Sequence, residues 1–173
     1  GGNDLYGPNP TVPLRELIQN STDAIRARMI IEQRSTTWGK IVVRLDQDSE
    51  GFWIEVEDNG IGMSPEVLTG PFIDFGTSYW GSNLMFQELP GLISSGFEST
   101  GKYGIGFFSV FMLGNHVRII TRRFDAGQKD TKVLEFSSGL ASRPILREAN
   151  PSEILRDGGT RVRIWLSMSP SSA

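Results

Sequence analysis

The stretch LRELIQNSTDA, residues 14–24, is the most informative local pattern in the chain. It lies in a segment, residues 11–34, whose apolar residues recur at helical spacing and predict the first helix. Three polar residues interrupt that pattern at spacings of four and three: Glu16, Asn20 and Asp23. At about 100° per residue they fall within a sector of roughly 60°, so they form one stripe along the helix. Such a stripe is typical of an ordinary solvated helix face. It also suits a site in which Asn20 supplies an oxygen to Mg²⁺ and Glu16 orients or deprotonates a water.

A second pattern follows a predicted hairpin. Residues 40–45 and 52–57 are rich in β-branched and aromatic residues and flank a polar turn, which predicts two antiparallel strands. The second strand runs into EDNGIGM, residues 57–63. Asp58, at the strand end, can accept a hydrogen bond from an exocyclic amine, and the glycines let a flat ring approach the backbone. This arrangement suits an adenine pocket, although a plain Asp-Asn-Gly turn has the same sequence.

The third pattern is GKYGIGF, residues 101–107, which enters a predicted helix at 107–113. Backbone N–H groups freed by the glycines, together with the positive end of that helix, make a cradle for phosphates. It is not a P-loop, because Tyr103 stands where Ser or Thr would follow the lysine, and it does not follow a strand as a dinucleotide fingerprint does. The aperiodic, Gly-, Ser- and Thr-rich residues 76–101 before it predict a functional loop or lid.

The remaining elements complete a fold prediction. A short helix is expected at residues 64–69, because Ser64, Pro65 and Glu66 supply a cap, a first-turn proline and an acidic first turn. Strands are expected at 117–122, 133–136 and 160–166. The order of helix, hairpin, helix, lid, helix and strands predicts an α/β two-layer sandwich. In it, helices cover one face of a mostly antiparallel, mixed sheet.

Composition limits the classes of function. With 173 residues, 38% of them hydrophobic, the chain is expected to form a single domain, residues 1–173. Nucleic acid is an unlikely partner, because 17 Lys+Arg stand against 20 Asp+Glu without a basic run. There is no cysteine, and the single His116 is expected to begin a strand. The sequence shows neither a signal peptide nor an apolar run of about 20 residues, so a cytoplasmic protein without a membrane span is expected. The start at Gly1-Gly2 rather than Met indicates a fragment of a longer protein.

In their order and spacing the three patterns resemble the motifs of the GHKL ATPase superfamily, and Gly159-Thr160 resembles its fourth motif. The resemblance extends over residues 14–166. Within the superfamily, residues 14–24 and 104–109 are most similar to the nucleotide-binding domain of the ninety-kilodalton heat-shock chaperones. The chain differs from that branch at Leu68, Asp74 and Lys102, where those chaperones have Asn, Lys and Gln.

The resemblance implies a role for each motif. Glu16 would be the general base, Asn20 the Mg²⁺ ligand and Asp58 the adenine-binding carboxylate, assisted by Thr160 through water. Asp23 would buttress the pocket. A lid at about 76–100 would close over the nucleotide and expel water. Gly62 and Met63 would line the base, and the backbone of Lys102, Tyr103, Gly104, Ile105, Gly106 and Phe107 would hold the phosphates.

The resemblance also implies a function. The chain would be the ATP–Mg²⁺-binding domain of a chaperone-like ATPase that hydrolyses ATP to drive a conformational change, slowly when isolated. ATP and ADP would be its ligands, a downstream domain would supply a phosphate-contacting basic residue, and a client protein or dimer partner would complete the assembly.

Three alternatives stay open. A DNA-handling GHKL protein is disfavoured by the sequence pI of about 5.2. A histidine kinase is disfavoured by Glu16, because kinases of this fold usually lack a general base four residues before the motif Asn. A nucleotide-sensing module that binds ATP without hydrolysis is separated from an ATPase by a turnover assay.

Overall fold

The computed structural model describes residues 11–70, 87–98 and 106–167. Three α-helices and six strands occur in these ranges, with short 3-10 helices between them. The α-helices are α1 (Thr11–Glu32), α2 (Pro65–Thr69) and α3 (Pro90–Ser94), and the 3-10 helices are Gly106–Met112, Gln128–Asp130 and Pro151–Glu153. The strands are β1 (Ile41–Asp48), β2 (Gly51–Asp58), β3 (His116–Arg122), β4 (Lys132–Phe136), β5 (Ile145–Glu148) and β6 (Gly159–Trp165).

The six strands form one sheet in the order β1-β2-β6-β3-β4-β5, and every neighbouring pair is antiparallel. The register places Asp58 opposite Thr160 and Thr160 opposite Thr121, so these three residues lie side by side across β2, β6 and β3. Asp58 and Thr160, which were predicted from distant parts of the sequence, therefore meet beside Thr121 at one end of the central strands.

The main core lies between one face of the sheet and the layer formed by α1 and the 3-10 helix Gly106–Met112. Strand residues point alternately to the two faces of a sheet, and every second residue of the central strands is buried against these helices. The core contains Leu17, Val56, Leu68, Phe107, Val110, Leu113, Val117, Ile119, Leu134, Phe136, Val162 and Ile164. The predicted fold class, a two-layer α/β sandwich with helices on one face of the sheet, is confirmed.

The other face of the central strands carries charged residues that pair across the sheet. Glu55 on β2 is 2.9 Å from Arg44 on β1 and 2.7 Å from Arg163 on β6. Glu135 on β4 contacts Arg118 on β3 and Arg147 on β5 at 3.0 and 3.2 Å. These cross-strand ion pairs neutralise the charged side chains on the sheet face that α1 does not cover.

The predicted elements are found with small shifts of their ends. Ser64 caps α2 as expected, because its hydroxyl accepts a hydrogen bond from the Val67 backbone N–H at 3.2 Å. The predicted helix at 107–113 is a 3-10 helix that begins at Gly106. No helix in the described ranges is both long and apolar enough to cross a membrane.

One expectation was wrong in detail, and one strand was missed. The segment 76–101 was expected to lack regular structure, yet its described part contains α3, whose Leu92 packs with Leu89, Ala27 and Ile61 in a second small core. Strand β5 was not predicted. The residues of the expected lid that precede Gln87 and follow Glu98 lie outside the described ranges.

Candidate functional site

The polar stripe of α1 faces the protein rather than solvent alone. Glu16 and Asn20 are partly buried, and Asp23 is fully buried. The Glu16 carboxylate lies directly against Gly106, since a Cβ built on that glycine would be 2.6 Å from the carboxyl carbon. Arg26, one turn further along, lies 3.7 Å from the Asp23 carboxylate. An ordinary solvated helix face does not account for this graded burial.

The turn after β2 is packed against the middle of α1. A Cβ on Gly60 would lie 2.6 Å from the backbone carbonyl carbon of Ala24, so no larger residue fits there without moving the helix. The Ile61 N–H donates to the Ala24 carbonyl oxygen at 3.0 Å, and the Ile61 carbonyl accepts from Phe124 N–H at 2.8 Å. The turn is thereby held between α1 and the end of β3.

Gly62 needs to be glycine for two reasons. Its φ of +68° lies in the left-handed region that L side chains rarely adopt. A Cβ would also be only 3.0 Å from Arg123 Cα and would overlap the Arg122 carbonyl group. The next residue, Met63, donates its backbone N–H to the Thr121 hydroxyl at 2.9 Å and packs its side chain against the main core.

Asp58 is the buried carboxyl group of this region. It is 5% exposed, and this burial raises its pKa from 3.8 to about 7. Hydrogen bonds to the Gly60 N–H, at 2.8 Å, to the Ser21 hydroxyl and to the Thr160 backbone act in the opposite direction, because they favour the carboxylate. Ser21 belongs to α1, so the helix that carries the polar stripe also contacts the carboxyl group.

Thr121 joins the separate parts of the site and was not identified from the sequence. Its fully buried hydroxyl donates to the Gly159 carbonyl at 3.0 Å and accepts from Met63 N–H. A hydroxyl has one proton, so the 2.9 Å contact with the Thr160 hydroxyl is donated by Thr160. The Thr160 oxygen keeps acceptor capacity, which is the property that a water-mediated contact requires.

Arg28, a buried residue of α1, was also not identified from the sequence. Its guanidinium donates to the carbonyl oxygens of Asn59, at 2.9 Å, Gly60, at 3.4 Å, and Asp157, and it pairs with Glu32 at 2.8 Å. The two carbonyls of residues 59 and 60 belong to the turn after Asp58, and Asp157 precedes Gly159 and Thr160. One arginine thus holds both turns that carry predicted adenine-side residues.

The part of the expected lid that the structure describes is bonded to the same region. Glu88 lies 2.6 Å from the Ser64 hydroxyl and 3.2 Å from Arg123, which joins this segment to the start of α2 and the end of β3. Arg26 donates to the Glu98 carbonyl at 3.3 Å and stacks over Phe97 at 5.3 Å. Residues 87–98 therefore border the polar stripe from the C-terminal half of α1.

The structure brings most of the described candidate residues together. Asp58, Thr160 and Met63 are linked through hydrogen bonds at the strand ends, while Glu16 contacts the phosphate-loop residue Gly106. Phe107 is a core residue, because its ring is buried against Phe108 and the main hydrophobic cluster. The candidates Lys102, Tyr103, Gly104 and Ile105 lie outside the described residues.

The described donor set fits a purine nucleotide and a Mg²⁺ ion that is held mainly by phosphates. The buried carboxyl of Asp58 is an acceptor for an exocyclic amine, and the turn that follows it is fixed because Gly60 and Gly62 pack against Ala24 and Arg122. Within the described ranges no cluster of three His, Asp or Glu side chains is suited to hold a metal ion. Mg²⁺ at nucleotide sites keeps several waters and takes few protein ligands, so a single amide oxygen such as that of Asn20 is enough.

Comparisons with known proteins give one family match and several named relatives. A family profile described as "Histidine kinase-, DNA gyrase B-, and HSP90-like ATPase" matches residues 9–155. The chain is 28% identical over 151 residues to a "Chaperone protein HtpG" from Desulfotalea psychrophila, covering 83% of this chain and 23% of that protein.

Two further relatives carry similar names. A "Chaperone protein HtpG" from Wigglesworthia glossinidia brevipalpis is 31% identical over 172 residues, covering 95% of this chain and 25% of the relative. The "Heat shock protein 75 kDa, mitochondrial" of Bos taurus is 30% identical over 130 residues, covering 73% and 18%. The chain thus spans a quarter or less of the length of these relatives.

Proposed function

Because the chain belongs to the histidine kinase-, DNA gyrase B- and HSP90-like ATPase family and is related to HtpG chaperones, we propose that it binds ATP with Mg²⁺ and hydrolyses it. In this proposal the chain is a single domain, residues 1–173, of a longer chaperone-like ATPase. ATP turnover by the whole protein drives a conformational change.

The observation that carries the proposal is the buried carboxyl of Asp58 beside two glycines. Burial raises the pKa of this carboxyl to about 7 despite its hydrogen bonds to Gly60, Ser21 and Thr160, so one more donor beside it would stabilise the carboxylate. An exocyclic amine of adenine is a donor that the carboxylate can accept. Thr160 supports a second contact through water, and the backbone of Gly62 with the Met63 side chain lines the base.

Glu16 and Asn20 supply the catalytic half of the proposal. Bound Mg²⁺ would neutralise phosphate charge, with the Asn20 amide oxygen as its protein ligand. Glu16, one helical turn away and against Gly106, would orient the attacking water and take its proton. Asp23, buried behind them, would hold the pocket wall.

The remaining roles fall on the phosphate loop and lid of this chain and on partners beyond it. The backbone of residues 102–107 would hold the phosphates while a lid at about 76–100 closes over them. A basic residue from a downstream domain would contact the γ-phosphate, and a client protein or second copy would use the conformational change. We place this ATPase in the cytoplasm.

Two substitutions test binding and chemistry separately. Asp58→Asn should abolish measurable ADP binding in calorimetry, because an amide can present a donor to the adenine amine. Asp125→Asn, an exposed aspartate at the surface, is the matched control and should bind ADP like the wild type. Wild-type affinity in a folded Asp58→Asn protein would remove Asp58 from the adenine role.

Glu16→Ala in the full-length protein should keep ATP affinity within a few-fold while turnover falls by roughly 10²–10⁴. Glu66→Ala, an exposed glutamate in the first turn of α2, controls for the loss of a charge. If wild-type protein turns over no faster than Glu16→Ala while both bind ATP, the nucleotide-sensing alternative replaces hydrolysis. Failure of Asp58→Asn to affect binding would instead contradict the nucleotide site itself.

A further inference from the structure

The outer edge of β1 is a surface that the proposed nucleotide site does not use. β1 is the first strand of the sheet, and within the described ranges no strand lies beside its outer edge. Val43 and Leu45 pair with Val56 and Ile54, so they lie on the face that carries the main core. They are nevertheless 50% and 56% exposed. A long edge strand with exposed apolar side chains is a template for pairing with another strand.

The other edge of the sheet is a weaker template. Strand β5 also has exposed apolar residues, Ile145 at 63% and Leu146 at 42%. It has four residues, however, whereas β1 has eight, so it offers about half as many backbone groups for pairing. β1 is therefore the edge on which strand addition gains most.

The sequence of β1 is complementary to itself in one antiparallel register. Opposite residues of an antiparallel pair point to the same face of the sheet. A twofold axis perpendicular to the sheet must therefore lie midway between one residue and its own copy in the partner, and that residue gives the position of the axis. With the axis at Val43, that residue faces its own copy and Ile41 faces Leu45. Lys40 then faces Asp46, which gives two opposite-charge pairs, one on each side of the axis.

The neighbouring registers are poorer. An axis at Arg44 places that arginine against its own copy. Shifting the axis to Val42 places Lys40 opposite Arg44, another like-charge pair. At Leu45 the axis leaves Val43 opposite Gln47. Like charges directly opposite one another destabilise a strand pair, and a polar partner gives the exposed apolar side chains nothing to pack against.

Lys40 and Asp46 have the properties that this register requires. Both residues are exposed, and neither side chain has an ion pair among the described residues. The carboxylate of Asp46 accepts only from the adjacent Gln47 N–H among the described hydrogen bonds, at 2.8 Å. Both charges are therefore available to a second copy of the chain.

We propose that two copies of this chain associate through their β1 edges, antiparallel and with the twofold axis at Val43, to form one continuous sheet. The nucleotide residues at the ends of β2, β6 and β3 are not part of this interface. Association is consequently independent of nucleotide binding.

Sedimentation equilibrium of the 173-residue chain over a wide concentration range tests the proposal. The wild type should show a monomer–dimer equilibrium that Val43→Lys abolishes. Ile145→Lys places the same charge on the other edge strand and should leave the equilibrium unchanged. A wild type that stays monomeric, or an equilibrium lost in Ile145→Lys instead, overturns the proposal; circular dichroism establishes that each variant is folded.

Charge exchange tests the register itself. Asp46→Lys creates two Lys–Lys pairs and Lys40→Asp two Asp–Asp pairs, so each variant alone should associate about tenfold or more weakly than the wild type. In an equimolar mixture the two variants complement each other at both pairs, and a heterodimer should form with affinity close to that of the wild type. Unchanged self-association of either variant, or a mixture without heterodimer, contradicts the Val43-centred register.

Discussion

Replacing Arg28 by methionine should weaken the whole protein and its nucleotide site together. Methionine keeps an unbranched apolar chain between the Trp38 and Phe124 rings, which lie 5.0 and 5.6 Å from the guanidinium carbon. It removes every donor to the carbonyls of Asn59, Gly60 and Asp157. The substitution removes the hydrogen bonds that hold the two turns together with the ion pair to Glu32, so it needs a control that also loses a Glu32 pair.

The size of the effect follows from these contacts. A hydrogen bond from a charged donor contributes about 1.5–3 kcal/mol, and the 3.4 Å contact to Gly60 is at the long limit. Asp157 is exposed and can be hydrated after the loss, whereas Gly60 is buried. We expect the free energy of unfolding to fall by about 3 kcal/mol, within the range for breaking a buried charged contact. ADP affinity should fall about tenfold, because the turn after Asp58 is no longer fixed.

Arg34→Met is a closely matched control. Arg34 also pairs with Glu32, at 3.1 Å, and also stacks on Trp38, at 5.0 Å, but its side chain is 44% exposed and it donates to none of the three carbonyls. Replacing Arg34 by methionine should lower the free energy of unfolding by about 0.5 kcal/mol or less. Urea unfolding followed by fluorescence gives both values. Equal destabilisation by the two substitutions would show that the carbonyl contacts of Arg28 contribute nothing particular, and the reasoning would be refuted.

Three further outcomes are expected. Asn20→Ala should make ADP binding less dependent on Mg²⁺ in a calorimetric titration, whereas alanine at the neighbouring amide Gln19 should leave that dependence unchanged. Thr121→Val leaves the Met63 N–H without its acceptor. The free energy of unfolding, measured in urea, should fall by about 1–3 kcal/mol, and ADP binding should weaken. Thr131→Val, which removes one hydrogen bond from an equally buried hydroxyl, should lower stability without affecting ADP.

The third outcome concerns pH. The folded-state pKa of Asp58, about 7, lies above its reference value of 3.8, so its contribution to stability is full below pH 4 and declines as pH rises towards 7. Nucleotide binding favours the carboxylate, so below pH 7 ADP should bind with proton release and lose about tenfold in affinity per pH unit. Calorimetry in buffers of different ionisation enthalpy measures the released proton. Binding with no proton release at pH 6 would mean that the carboxyl is already ionised or is not at the adenine.

The elements whose apolar residues recur at a regular spacing were predictable from the sequence. The apolar spacing of residues 11–34 places α1 within two residues of its observed end at Glu32. Strand β5 could not be found in the same way, because Ile145 and Leu146 on its two faces are both exposed. A strand that buries neither face has no alternation of apolar and polar residues, so pairing with β4 decides its structure.

The candidate site residues could be proposed from the sequence, whereas the hydrogen bonds that connect them could not. The positions of Glu16, Asn20 and Asp58 follow from local motifs, because helix period and strand ends are local properties. Thr121 becomes visible only when the register places it beside Thr160, which requires the order of strands distant in sequence. Arg28 offered a weaker signal: it lies four residues after Ala24, on the side of α1 that meets the Gly60 turn, but arginine in a helix usually lies in solvent.

Leu68 shows how the proposed adenine end of the site differs from the chaperone pattern that the sequence resembles. It stands where those chaperones have Asn, and in this chain it is fully buried in the main core. Its side chain is occupied with packing and offers no hydrogen bond, so α2 contributes no polar group from this position. In the proposed nucleotide site, recognition on the described side would then fall to Asp58, Thr160 and the backbone near Gly62. Because Arg28 and Thr121 hold those groups through hydrogen bonds, we expect their loss to weaken nucleotide binding more than it would if α2 also supplied a polar contact.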